Sequence, residues 1–93
     1  MSEIRAVHVD PDDNVVTLVQ PGSAGDWAVW DGGRLQLLDD VPSGHKVAVS
    51  AIQAQTTVVK YGAPIGLATS AIEKGRWVHV HNVRSARGKG AHA

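Results

Sequence analysis

No window of eleven residues in this chain carries an apolar stripe at the helical period, while glycine, proline and aspartate interrupt it roughly every 8–12 residues. A chain patterned in this way folds into many short strands, with only short helical turns between them. The β-rich runs are residues 4–9, 15–19, 27–30, 34–38, 45–49, 56–61 and 76–83. Asp10-Pro11-Asp12-Asp13-Asn14 and Gln20-Pro21-Gly22-Ser23 separate the first of these, and Asp31-Gly32-Gly33 reads as a tight hairpin turn. The expectation is an all-β, compact barrel-like or clip-like domain over residues 1–84, followed by a flexible basic tail at 85–93. At 93 residues the core must be thin, so a partner subunit is expected early.

One internal repeat is visible. Setting residue 48 against residue 68 matches Ala48 with Ala68, Ser50 with Ser70, Ala51 with Ala71, Ile52 with Ile72 and Val58 with Val78. Each copy reads as a strand, a turn whose isoleucine plugs the core, and a second strand. A pseudo-twofold would let the two share one core, with the Ser50 and Ser70 hydroxyls capping the turns rather than acting as nucleophiles. Between the copies, Lys60-Tyr61-Gly62-Ala63-Pro64-Ile65-Gly66 reads as a defined loop, because Gly62 and Gly66 tolerate backbone angles other residues avoid.

The net charge of zero hides a split: residues 1–40 hold eight acids and two bases, residues 41–93 one acid and seven bases. This is either complementarity between two halves that fold together, or a cationic face offered to an anionic substrate or acidic partner. The bases are not interleaved with aromatics, so no nucleic-acid role is expected. With no cysteine, disulfides, thiolate metal sites and a thiol nucleophile are excluded. The longest uncharged stretch, residues 47–59, is too short and too polar to span a membrane, and the first residues lack a secretory apolar run. A cytoplasmic protein is expected.

Trp77-Val78-His79-Val80-His81-Asn82 is the sharpest chemical signal. On a continuous strand, Val78 and Val80 would point inward while Trp77, His79 and His81 share the other face, the two imidazoles about 6–7 Å apart at Cα. That spacing allows His79 and His81 to reach one divalent cation, to contact a substrate, or simply to hydrogen-bond across a wet sheet face. Gly44-His45-Lys46 offers a proton carrier beside a carboxylate-binding ammonium, and Lys60-Tyr61 offers a second ammonium. No Ser/His/Asp triad, phosphate loop or calcium loop can be assigned.

These strings, Gly44-His45-Lys46, then Lys60-Tyr61-Gly62-Ala63-Pro64-Ile65-Gly66-Leu67-Ala68-Thr69, then Val78-His79-Val80-His81-Asn82, closely resemble the SAF domain of the altronate dehydratase family. Members occur in altronate and galactarate dehydratases and in sulfolactate sulfo-lyase. Val9-Asp10-Pro11-Asp12-Asp13-Asn14-Val15 is similar to the family's opening, so the likeness covers residues 8–84. It implies a β-clip fold and a place either before a large catalytic domain or as a separate small subunit. The implied reaction is β-elimination of water or sulfite from a sugar acid or other 2-hydroxy acid. The implied cofactor is Fe²⁺ or Mg²⁺ held mainly by the large subunit, and the implied partners are that subunit, in a hetero-oligomer, and an anionic small molecule. His45, His79 and His81 are then candidate catalytic residues, His79 and His81 candidate metal ligands, and Lys46, Lys60, Tyr61 and Asn82 candidate substrate contacts. The chain departs from the family at Gln53-Ala54-Gln55-Thr56, where members commonly carry a glycine-containing acidic turn. The competing expectation is a non-catalytic carbohydrate- or protein-binding module.

Overall fold

The computed structural model describes residues 2–85, so the expected tail, apart from Ser85, lies outside the described residues. Among the described residues nine strands follow one another: β1 Glu3–Val7, β2 Val15–Leu18, β3 Trp27–Trp30, β4 Gly33–Gln36, β5 Lys46–Ala48, β6 Thr57–Lys60, β7 Ala63–Ala68, β8 Trp77–Val78 and β9 Val83–Ser85. The described residues contain no helix, not even the short turns expected. Six strands form one sheet in the order β4-β3-β1-β2-β5-β8, and three form a second in the order β6-β7-β9. Every pairing is antiparallel except β1 with β3, where Ile4 lies beside Ala28.

The repeat runs deeper than the sequence showed. Reciprocal backbone bonds join Ile52 to Ile72, both 2.8 Å, and Gly22 to Val41, 2.9 and 2.8 Å. Three residues after each of these four positions the backbone turns left-handed, at Gly25, Gly44, Gln55 and Gly75 with φ of 95°, 79°, 68° and 93°. The residue that follows closes each turn: Asp26 N–H to Ser23 O, His45 N–H to Pro42 O, Thr56 N–H to Gln53 O, Arg76 N–H to Glu73 O. β3, β5, β6 and β8 begin directly after these turns. The chain is thus built from two similar units, one bracketing the β3–β4 hairpin and the other the β6–β7 hairpin. Three of the four left-handed sites carry glycine, and Gln55 does not. These backbone-closed turns, at 53–56 and 73–76, follow directly on the Ser-Ala-Ile segments.

Two cores result. Ile4, Val16, Leu18, Leu35, Leu37, Val41 and Val47 pack in the first, and Val15, Ile52, Val58, Ala68, Ile72 and Val78 in the second. The β2–β5 ladder is the wall between them: Val16 pairs with Val47 facing one core, Val15 with Ala48 facing the other. Each buried aliphatic side chain contributes on the order of 1.5–3 kcal/mol, so duplication lets a short chain sum two small cores.

Two expected elements are corrected. Residues 60–66 do not form a loop: Tyr61 and Gly62, both left-handed at 58° and 71°, make a two-residue hairpin turn, and β7 begins at Ala63. Pro64 is tolerated there because β9 pairs only with Gly66, Leu67 and Ala68, and a bulge displaces the β6 register beside it. Gly66 is needed for close approach rather than for its angles, since a Cβ there would come within 2.5 Å of Arg84 O. The expected strand at 76–83 is also broken. β8 ends at Val78, residues 79–82 turn, and β9 joins the other sheet. Val80 is therefore 80% exposed instead of pointing inward.

Candidate active site

The register between β5 and β8 assembles the site. Lys46 lies opposite Val78, which brings His45 level with His79, their rings 4.6 Å apart. Trp77 stands at the centre. Its indole lies parallel to the His79 imidazole at 5.5 Å, meets His81 at 5.1 Å, and donates its Nε1–H to His45 Nδ1 at 3.1 Å. The three expected imidazoles are thus gathered around one tryptophan.

Asn82 shapes the turn that holds them. Its Oδ1 accepts from His79 N–H at 2.9 Å and its Nδ2 donates to Trp77 O at 2.9 Å, while its own N–H reaches His79 O at 3.0 Å. Both ends of the buried amide are occupied, so its evident work is positioning. Asp39 anchors the same strand from another loop, accepting from Trp77 N–H at 2.9 Å and pairing with Arg76 at 3.0 Å.

Lys46 and Lys60 form the cationic component. Burial, then the charge of Lys60, pushes the Lys46 ammonium below its ordinary pKa. Lys60 lies over the Tyr61 ring at 4.8 Å, with that ring 63% exposed. Among the described residues the ion pairs belong to Arg76, with Asp39 and Glu73, so neither lysine has a carboxylate partner. A cleft of about 200 Å³ opens beside Lys46, lined also by Ile65, His79, Val80, Val83 and Ser85. Burial first, then the charges of His45, Lys46 and His81, pulls His79 below its ordinary value and favours the neutral imidazole. Among the described residues the cleft beside Lys46 is lined by hydrogen-bond donors and by no aspartate or glutamate side chain.

As a metal centre it is incomplete. His79 faces the Lys46 cleft, whereas His81 borders a different one with Ser70, Glu73, Arg76 and Asp39. Among the described residues no three His, Asp or Glu side chains come together as a ligand set.

The Lys60–Tyr61 tip is fixed by Asp13 and Asn14, at the end of the Asp10–Asn14 turn. The Asp13 carboxylate, 4% exposed, accepts from Tyr61 N–H at 3.0 Å, Gly62 N–H at 2.8 Å and Asp10 N–H at 3.1 Å. Asn14 then pairs with β6 through its side chain, accepting from Val59 N–H at 2.8 Å and donating to Thr57 O at 2.9 Å. The Asp-Pro-Asp-Asp-Asn run was the available signal, since such side chains readily bond backbone groups.

Comparison with known proteins places the chain in a family. Residues 4–86 match the family described as the altronate/galactarate dehydratase SAF domain. The (2R)-sulfolactate sulfo-lyase subunit alpha of Chromohalobacter salexigens is 38% identical over 94 residues, covering 94% of this chain and 99% of that protein. Altronate dehydratase of Bacillus subtilis is 33% identical over 79 residues, 85% of this chain but 16% of the enzyme. Galactarate dehydratase (L-threo-forming) of Escherichia coli is 35% identical over 72 residues, 77% of this chain and 14% of that enzyme. The chain therefore spans a small part of the dehydratases and nearly the whole of the sulfo-lyase subunit. No helix among the described residues is long and apolar enough to cross a membrane. On the match over residues 4–86, this chain is a member of the altronate/galactarate dehydratase SAF domain family.

Proposed function

We propose that this chain is the small subunit of a lyase that eliminates water or sulfite from a sugar acid or related 2-hydroxy acid, alongside a separate large catalytic subunit. The observation that carries the reading is the grouping of His45, His79 and His81 around Trp77, beside Lys46, whose ammonium feels the charge of Lys60. β-Elimination next to a carboxylate builds negative charge on an enediolate, and preorganised donors and cations are what lower that barrier. The near-complete overlap with a sulfo-lyase alpha subunit supports a separate small subunit. His45, His79 and His81 contribute imidazoles, Lys46 and Lys60 attract the carboxylate, Tyr61 lines the tip, and Asn82 holds the turn. A divalent Fe²⁺ or Mg²⁺ would draw most of its ligands from the large subunit, with His79 or His81 adding at most part of the set.

The test is to reconstitute the chain with its large subunit and follow release of water or sulfite. His79→Ala and His81→Ala should each lower kcat by about 100-fold or more, the scale of a lost acid–base or orienting imidazole, and Lys46→Ala should chiefly raise KM. Unchanged rates in both histidine variants would overturn the site assignment. Tight binding of a sugar acid by the chain alone, with turnover indifferent to its presence, would replace the enzyme reading with that of a binding module.

A further inference from the structure

We propose that Trp77 is a positioning residue that locks His45 in its Nε2–H tautomer, so that His45 offers the site a hydrogen-bond donor rather than a base. An indole nitrogen can only donate a hydrogen bond. The 3.1 Å contact from Trp77 Nε1–H therefore requires a lone pair on His45 Nδ1. In a neutral imidazole the proton must then sit on Nε2, on the side of the ring away from the indole. Trp77 is itself held in place: its backbone N–H is bound by Asp39, its carbonyl by Asn82, and it packs against the first core. The indole is thus a fixed donor and the His45 ring conforms to it.

This rests on the proposed function and narrows it. A neutral His45 with its proton on Nε2 cannot collect the α-proton of a substrate through that nitrogen. It can donate a hydrogen bond to the carboxylate or enediolate oxygen on which charge develops, with no proton transferred. The base must then be another group, and the two neighbours on the same surface, His79 and His81, or a residue of the large subunit, remain for that task.

The experiment is a long-range ¹H–¹⁵N correlation spectrum of the full chain at pH 8, reading the two ring nitrogens of His45. The expected spectrum has an unprotonated Nδ1 and a protonated Nε2. In Trp77→Phe, which keeps a ring against His79 but has no N–H, the two signals should move toward averaged values as the tautomers mix. A protonated Nδ1 in the wild-type chain overturns the proposal outright, so the result does not depend on the variant folding. A tautomer unmoved in folded Trp77→Phe overturns it as well. In the complex with the large subunit, Trp77→Phe should lower kcat with little change in KM. If the spectra are as expected and turnover is unaffected, the tautomer lock stands, and it is the placing of His45 in the catalytic site that fails.

Discussion

Asp13→Ala is the most informative single change to the scaffold. It removes a carboxylate that accepts three backbone N–H bonds, from Asp10, Tyr61 and Gly62, while nearly excluded from solvent. Hydrogen bonds to a charged group are worth about 1.5–3 kcal/mol each when broken. Because Tyr61 and Gly62 lie at an exposed turn, water replaces part of this, and the loss should total about 2–4 kcal/mol. For a domain of this size that is a fall in Tm of roughly 10–30 °C. Asp13→Asn should also destabilise, since its amide nitrogen would face N–H donors. The effect depends on pH. Burial pushes the Asp13 pKa up, but the N–H groups of Gly62, Tyr61 and Asp10, with the charge of His8, outweigh it and set the folded value below the ordinary 3.8. Its stabilisation is therefore complete above about pH 4 and lost as pH falls through the folded value. Thermal melts from pH 7 to pH 2 should show the gap between wild type and Asp13→Asn narrowing only below about pH 4. Tyr61→Gly added to Asp13→Ala should restore about 1 kcal/mol, because the left-handed angle at Tyr61 no longer carries a side-chain penalty. A Tm change of under about 3 °C for Asp13→Ala would refute the reasoning.

Other expectations follow from the same physics. Gln55→Gly should raise stability by about 0.5–1 kcal/mol, as Gln55 alone among the four equivalent turn positions is left-handed without being glycine; denaturant titration measures it. Gly75→Ala should destabilise far more than Gly25→Ala in paired melts, because its Cβ would meet Gln36 O at 2.4 Å whereas nothing lies within 4 Å at Gly25. Glu73→Gln should scarcely move Tm, being a solvent-exposed ion pair, while Asp39→Ala should lower it, because that carboxylate also binds Trp77 N–H. His79 has its folded pKa below the ordinary 6.5, so stability should decline as pH falls below that value and His79→Gln should flatten the decline.

How much could be read in advance divides by the range of the interaction. Short strands, the Asp31–Gly32 hairpin and the Ile52/Ile72 repeat were legible because turn chemistry and β-rich runs are local. The copies around Gly22 and Val41 were not, since what they share is backbone geometry, with glycine, valine and isoleucine standing at equivalent places. Alternation suggested one strand through residues 76–83, but Asn82 bonds back to Trp77 and His79 and ends it. The histidines were found from their spacing, although Trp77 unites them, and that depends on which residue faces His45 across the β5–β8 ladder. Asp13 looked like one more acid in a turn; its role appears only when the chain returns 48 residues later at Tyr61.

The central claim is that the surface carrying His45, Lys46, Lys60, His79 and His81 is completed by docking on a larger catalytic subunit. Amide hydrogen exchange of the chain, alone and in complex, reads this directly. Protection on complex formation should concentrate at residues 44–46, 60–62 and 79–82, leaving β4, at the opposite edge of the six-stranded sheet, unchanged. Protection confined to β4 and the Asp31–Gly32 turn, with the histidine surface exchanging as before, would contradict the account.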